Sequence, residues 1–256
     1  MTLYVGTSGW QYRDWRDVLY PADVPMRRWL EEYTRHFATV EINNAFYRLP
    51  TRENFEAWRE RVPGDFVVAV KASRYLTHIK RLRDPEEPVS RLMSHAQGLG
   101  ARLGPVLLQL PPTLKADAEL LDVCLACFPS RTRVAVEPRH DSWWTPEIRE
   151  VIQARGAALC WADVESRPVT PLWRTTDWGY VRFHQGRARR WPHYGRQALD
   201  TWSHRIADTW SEAEDVYAYF NNDPTGAAVE DAMTFARAAQ RAGLGPTRTP
   251  RHLAPA

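Results

Sequence analysis

The sequence predicts an α/β fold, a single (β/α)8 barrel of TIM type, and three observations predict it. Eight short apolar runs occur along 256 residues, and helical segments fall between them. Alternation of strand and helix calls for a parallel sheet, and eight such units in about 250 residues match the barrel. The runs also end on polar or ionisable residues that share one strand phase. Strand side chains alternate between two faces, so a shared phase gathers those tips at the carboxyl ends of the strands.

The runs cover residues 4–7, 39–43, 66–71, 106–109, 134–137, 158–163, 179–184 and 216–221. In the second, Val40 and Ile42 oppose Glu41 and Asn43; in the third, Val68 and Val70 oppose Ala69 and Lys71. In the fifth, Val134 and Val136 oppose Ala135 and Glu137; in the seventh, Val181 and Phe183 oppose Tyr180, Arg182 and His184. The apolar face suits a helix layer. The other face ends in Glu41, Lys71, Gln109, Glu137, Asp163, Arg182, His184 and Asn221, the floor of a site. Helical segments are expected over 26–37, 52–61, 89–100, 116–128, 196–210 and 226–242. Thr145 and Pro146 open another, as N-cap and first helical residue. One unit is irregular: Pro168 and Pro171 leave no room for a normal helix over 164–177. Residues 1–242 then form the barrel domain, and 243–256, with Pro246, Pro250 and Pro255, a loose C-terminal tail. A doubly wound open sheet competes, but no G-x-G-x-x-G follows the first strand.

A hydrophobic content of 44% and a charged content of 25% are ordinary for a globular protein. No apolar stretch approaches the roughly 20 residues of a membrane helix, and the N-terminus lacks a signal pattern. The expectation is a cytoplasmic protein with no membrane partner. A net charge of +3 does not by itself demand a polyanion. Arginine dominates the basic residues, with only Lys71, Lys80 and Lys115 as lysines; a GC-rich genome explains this, and guanidinium groups also suit phosphates. The twelve tryptophans are expected mostly in the core. Cys124 and Cys127 form C-x-x-C, but Leu121, Leu125 and Phe128 share their helical spacing, so these thiols read as small core groups, as does Cys160.

Long segments follow three of the strands, at 9–25, 72–88 and 185–194. In such barrels these loops crown the active-site face. The third interleaves Arg187, Arg189 and Arg190 with Trp191 and Tyr194, a pattern that suits phosphate plus a flat ring and equally a solvated loop.

Ordered blocks along residues 3–240 resemble the YecE-like proteins, domain of unknown function family 72. They are Gly6-Thr7-Ser8-Gly9-Trp10 with Tyr12 and Trp15, Val40-Glu41-Ile42-Asn43 with Phe46-Tyr47-Arg48-Leu49-Pro50, and Lys71-Ala72 with Thr77-His78. Leu103 to Pro112, Val136-Glu137 with Arg139-His140 and Trp143, Tyr180 to His184, and Phe220-Asn221-Asn222-Asp223 follow. The resemblance implies the (β/α)8 barrel and implies no activity. Two departures are Pro138, in place of an aromatic, and Gln185, inserted before the Gly that normally follows His184. They put the tilt of Arg139 and the loop after strand seven in doubt.

Two chemistries fit the strand ends. Glu137, Asp163 and His184, with Glu41 across the mouth, could ligate a divalent metal. Lys71, Arg139 and Arg182 would compete with that metal, so a resident metal is not favoured and the cofactor is unknown. The favoured site is metal-free: Lys71 and Arg182 clamp an anion, Glu137 or Asp163 serves as acid or base, and His184 moves a proton. Gln109, Asn43, Arg139 and His78 would contribute to substrate binding. Asn221, Asn222 and Asp223 lead into the last helix, where barrels often hold phosphate. Trp10, Tyr47 and Trp143 are candidate walls for a ring or sugar. A bland alternative is a salt-bridge layer that holds the top of the barrel together, a costly way to gain stability without a ligand. The expected function is therefore action on a small anionic, phosphate-bearing ligand, with phosphoester hydrolysis first. A non-catalytic nucleotide or nucleic-acid binder and a carbohydrate-directed lyase or isomerase are the alternatives. The oligomeric state is not legible.

Overall fold

The structure, a computed structural model, describes residues 1–210 and 215–252. Five strands pair in parallel and in chain order: β1 (Thr2–Ser8), β2 (Thr39–Ile42), β3 (Val67–Lys71), β4 (Leu103–Gln109) and β5 (Val134–Glu137). The sixth run is split. Its first part, β6 (Ala158–Leu159), pairs with β5; its second, β7 (Trp161–Val164), leaves that neighbour. A two-residue β8 (Arg167–Pro168) folds back antiparallel on β7, which pairs on its other side with β9 (Gly179–Gln185). Finally β10 (Asp215–Phe220) joins β9 to β1. The fold is thus mixed α/β, with one curled sheet of ten strands running from β6 at one end to β8 at the other, and the single residue Cys160 joins the end strand β6 to β7, next to the opposite end. Eight strands were expected; ten are found because the sixth run divides its hydrogen bonds between two neighbours and the chain after it adds the antiparallel β8.

That division has a local cause. Leu159 is still in register with Val136 of β5, and its N–H, on the side away from β5, donates to Thr175 Oγ1 at 2.8 Å; the Ala162 N–H donates to Thr170 Oγ1 at 2.9 Å. Buried backbone donors must be satisfied, and two threonine hydroxyls from the connecting segment do it. The segment between β8 and β9 contains no helix, as its prolines required.

Between the strands lie α1 (Trp29–His36), the one-turn α2 (Asn44–Tyr47), α3 (Arg52–Arg61), α4 (Glu86–Ala96), α5 (Ala118–Ala126), α6 (Pro146–Ala154), α7 (Arg196–Trp210) and α8 (Ala227–Arg241). Their starts are written in the sequence: Thr51 and Asn54 form a reciprocal capping box, Asp117 accepts from the Leu120 N–H, and Thr145 caps a helix whose first residue is Pro146.

Strand alternation builds two apolar layers. Val40, Ile42, Val68, Val70, Val106, Leu108, Val134, Val136, Val181 and Phe183 face the helices in the main core. Ala69, Leu107, Ala135, Ala158, Cys160, Tyr180, Tyr217 and Tyr219 fill the inside of the curl. Two residues further along those inner rows, the side chains turn polar. Cys124 is buried, and burial pushes its thiol up to about 12, so it is core material as expected; Cys127 is only half-buried at the edge of that core.

The tail expected to hang loose is tied down over part of its length. The Leu3 N–H donates to Gly245 O at 3.0 Å, the Thr247 N–H donates to Leu3 O at 2.7 Å, and Arg248 donates to Thr34 O and Phe37 O. The free edge of β1 near its start supplies the partner groups. Residues 253–256 of that tail lie outside the described residues. Among the described residues, no helix is long and apolar enough to cross a membrane.

Candidate functional site

At the carboxyl ends of the strands the inner rows converge on one chain of charges. Arg182, on β9, lies between Glu41, on β2, and Glu137, on β5. Its Nη2 donates to Glu41 Oε1 at 2.8 Å and its Nη1 to Glu137 Oε2 at 2.7 Å. All three side chains are 0% exposed. Each carboxylate has further donors. Ser8 Oγ gives to Glu41 Oε1 at 2.7 Å, and the Tyr180 hydroxyl gives to Glu41 Oε2 at 2.6 Å. Gln109 Nε2 reaches both oxygens of Glu137 at 3.1 Å, and Arg139 Nη2 reaches Oε1 at 3.1 Å.

Burial alone would raise both carboxyls. Arg182, Tyr180, Ser8 and Lys71 nonetheless hold Glu41 below its ordinary value, and Arg182, His184 and Arg139 hold Glu137 well below. The two carboxylates in turn keep Arg182 charged despite its burial. This triad is fixed and ionised. Its Coulomb energy largely offsets its desolvation, so it positions groups more than it stabilises the fold.

His184 is oriented by the same carboxylate. Its Nε2 lies 2.8 Å from Glu137 Oε1, and Asn221 Nδ2 lies 3.2 Å from its Nδ1. The closer Glu137 oxygen, which can only accept, favours the neutral tautomer with the proton on Nε2, against Arg139 Nη2, a donor 3.2 Å from the same nitrogen. Burial, then Arg182 and Arg139, push the imidazole below its ordinary value, against the pull of Glu137.

Lys71 differs from every other charge in the mouth. It is 9% exposed, yet among the described residues it makes no ion pair; its Nζ sits 4.2 Å from the centroid of the Phe46 ring. Burial, followed by Arg182, lowers its pKa to about 8, with Glu41 and Glu137 opposing. Phe46 also meets His78 edge-on at 4.9 Å, and burial with Lys71 pushes His78 down.

The structure thus brings together Glu41, Lys71, Gln109, Glu137, Arg139, Arg182, His184 and Asn221. It does not bring Asp163 to them. In register Ala162 lies beside Arg182 and Asp163 beside Phe183, so Asp163 faces the helix layer. There Tyr194 donates to its Oδ1 at 2.8 Å and Trp202 Nε1 to its Oδ2 at 2.7 Å, and burial pushes the carboxyl up to about 6. The expected Glu137–Asp163–His184 ligand set therefore lacks its third member, and no group of three His, Cys, Asp or Glu suits a metal among the described residues.

Other expected positions also move. Arg182 is fully buried, with each Nη on a buried carboxylate and its Nε without a partner among the described residues, so it is turned away from an incoming ligand. Asn222 is 1% exposed and binds Pro192 O and Asp231, anchoring a loop. The loop N–H of Thr225, a candidate phosphate donor, goes to Asp14 Oδ2 at 2.6 Å. Beside it Asp223 is pushed up to about 7, chiefly by burial, with the Tyr12 hydroxyl and Arg182 opposing and Asp14 and Glu41 reinforcing. Trp143 is 1% exposed and donates to Leu114 O, so it is core and not a wall. Trp10 is also buried, although it borders a cleft of about 170 Å³ with Asn43 and Asn44. Asn43 keeps a buried, unpartnered Oδ1 there. Tyr47 is 81% exposed and lines an adjoining cleft of about 570 Å³ with Asn44 and Trp58. Ser8 and Tyr180 were not singled out from the sequence; their inward strand phase was the available signal.

The chain matches, over residues 4–254, the family described as protein of unknown function DUF72. It belongs to that family. YunF of Bacillus subtilis is 24% identical over 265 residues, which cover 90% of this chain and 92% of YunF. YecE of Escherichia coli K12 is 30% identical over 155 residues, covering 60% of this chain and 54% of YecE. Among solved structures, a DUF72 protein from Thermotoga maritima superposes with a TM-score of 0.78 at 27% identity, over 94% of this chain and all (100%) of the other. One from Enterococcus faecalis gives 0.79 at 21% identity, over 93% and 95% of the two chains. These likenesses fix the DUF72 fold and carry no activity.

Proposed function

We propose that the mouth binds a phosphate-bearing ligand and hydrolyses a phosphoester. Lys71 carries the reading: it is a buried ammonium facing a ring, in a mouth where the neighbouring buried charges are paired. Such a group is under-compensated, and an incoming anion completes it. Arg139, whose side chain is 40% exposed, is the second cation in reach of that anion and replaces Arg182 in the clamp. The curled sheet is read as a TIM-type barrel whose sixth strand is the pair β6 and β7, which places the mouth where barrel enzymes act.

In this reading Glu137 orients His184, and Nδ1 is the working nitrogen once the ligand displaces the Asn221 amide that donates to it. A bound phosphate offsets the field of Arg139 and Arg182, so the imidazole gains a proton there. Water attacks phosphorus, the bond to the leaving oxygen breaks, and Nδ1 gives that oxygen its proton. The proton left on the new phosphate recharges the imidazole. Ligand binding follows the charge of Lys71, so it weakens as pH rises through about 8.

The test is turnover of p-nitrophenyl phosphate and bis(p-nitrophenyl) phosphate by wild type, Lys71→Met and His184→Gln. The expected result is hydrolysis of one ester, a loss of about 100-fold or more in kcat for His184→Gln, and a raised KM for Lys71→Met. Failure of wild type to cleave either ester, with no effect of inorganic phosphate on Tm, overturns the proposal.

A further inference from the structure

Directly after His184 the chain forms a tight hairpin over residues 185–194, on the rim of the mouth. Its base is fixed from several directions. The Gly186 N–H donates to Pro192 O at 2.8 Å and the Ala188 N–H to His193 O at 3.0 Å. From outside, Asn222 Nδ2 donates to Pro192 O at 3.1 Å, and the Tyr194 N–H donates to Asp231 Oδ2 at 2.9 Å. Only glycine fits at 186, where a Cβ would fall 2.0 Å from His193 O.

The tip is the opposite of that base. Trp191 is 64% exposed, although a large apolar ring gains by being covered. Arg187 and Arg189 are exposed and make no ion pair among the described residues; Arg190 reaches Glu230 at 3.3 Å. A base tied down by hydrogen bonds therefore displays one bare indole a few residues beyond two exposed guanidinium groups that make no ion pair among the described residues, Arg187 and Arg189, directly after the strand that carries His184.

We infer that this hairpin docks a single-stranded polynucleotide and that the phosphate entering the mouth is one of its phosphodiesters. The inference rests on the phosphate reading of the mouth and names its substrate class. The chemistry that recognises a single strand is an aromatic face for an unstacked base and cations for the flanking phosphates. In a duplex the bases stack on each other and their faces are not free for Trp191.

The experiment is fluorescence anisotropy of a labelled oligo(dT) with the full chain across a salt series. Binding is expected at low salt, with log affinity falling linearly against log salt by about 0.7 per phosphate contact. Arg187→Ala combined with Arg189→Ala lowers that slope by about 1.4. Trp191→Ala weakens binding about tenfold at constant slope. A duplex binds more weakly and is indifferent to Trp191→Ala. Lys71→Met separates the two readings: it leaves the Trp191 dependence intact, and it lowers the salt slope by about 0.7 only if a phosphodiester enters the mouth, an unchanged slope overturning that half of the inference. The inference is overturned by absence of binding at low salt, or by binding that ignores Trp191 and is matched by heparin. Preference of the hairpin for anionic vesicles or an acidic peptide over oligo(dT) overturns it equally.

Discussion

Glu137 and Asp163 stand near the ends of adjoining runs, four residues and six residues long by sequence, yet they occupy opposite environments. Glu137 meets two arginines, a glutamine and an imidazole and is held well below its ordinary value. Asp163 meets a phenol and an indole and is pushed up to about 6. One residue of strand phase separates these outcomes, since a shift by one moves a side chain to the other face of the sheet. A carboxylate at a strand end is thus part of the mouth only if its parity is right. The same comparison divides charges that are satisfied by the fold from Lys71, which is not.

The largest expected effect strikes the Glu137 side. Arg182→Met strands two buried carboxylates and is expected to cost about 3–5 kcal/mol in urea unfolding, with part recovered when Glu41→Gln and Glu137→Gln are added. A loss below about 1 kcal/mol would mean the triad is hydrated and not a buried ionic unit. On the other side, Asp163→Ala leaves the Tyr194 hydroxyl and the Trp202 N–H unpaired, at an expected cost of about 1–3 kcal/mol and without effect on phosphate binding.

The two carboxyls also bend the pH profile in opposite directions. Glu137 has a depressed folded value, so its stabilisation is present above about pH 4.5 and is lost as pH falls through the folded value. Asp163 has a raised folded value; the fold binds its proton more tightly than the unfolded chain does, so stability falls as pH rises from 3.8 to about 6. In Tm measured against pH, Glu137→Gln is expected to flatten the acid limb and Asp163→Asn the stretch from about 4 to 6. Identical slopes in both variants would break the comparison. The smallest effect belongs to Trp191→Ala, expected within about 0.5 kcal/mol of wild type because the ring is already exposed.

The sequence disclosed the parity of most of the mouth because alternation is visible there. Glu41, Lys71, Glu137, Arg182 and His184 each complete a row whose other face is Val, Ile or Phe. The run from Ala158 to Asp163 has no such contrast: residues 158 to 163 are all buried, so neither face is marked and Asp163 could not be placed. Its division between β6 and β7 was hidden for the same reason, since the threonines that satisfy it lie in a segment with no period. Alternation places Tyr180 on the inner row with Arg182 and His184, but nothing in the sequence links its hydroxyl to Glu41. Trp143 and Asn222 sit in loops, where spacing does not encode the direction of a side chain.

The central claim concerns Lys71, and thermal unfolding with and without inorganic phosphate at pH 7 tests it most directly. A ligand that binds only the folded state raises Tm with its concentration. Wild type should show that rise, Lys71→Met should lose it, and Asp163→Asn should keep it. A Tm indifferent to phosphate in wild type, or raised equally in Lys71→Met, would contradict the assignment of Lys71 as the anion-binding group.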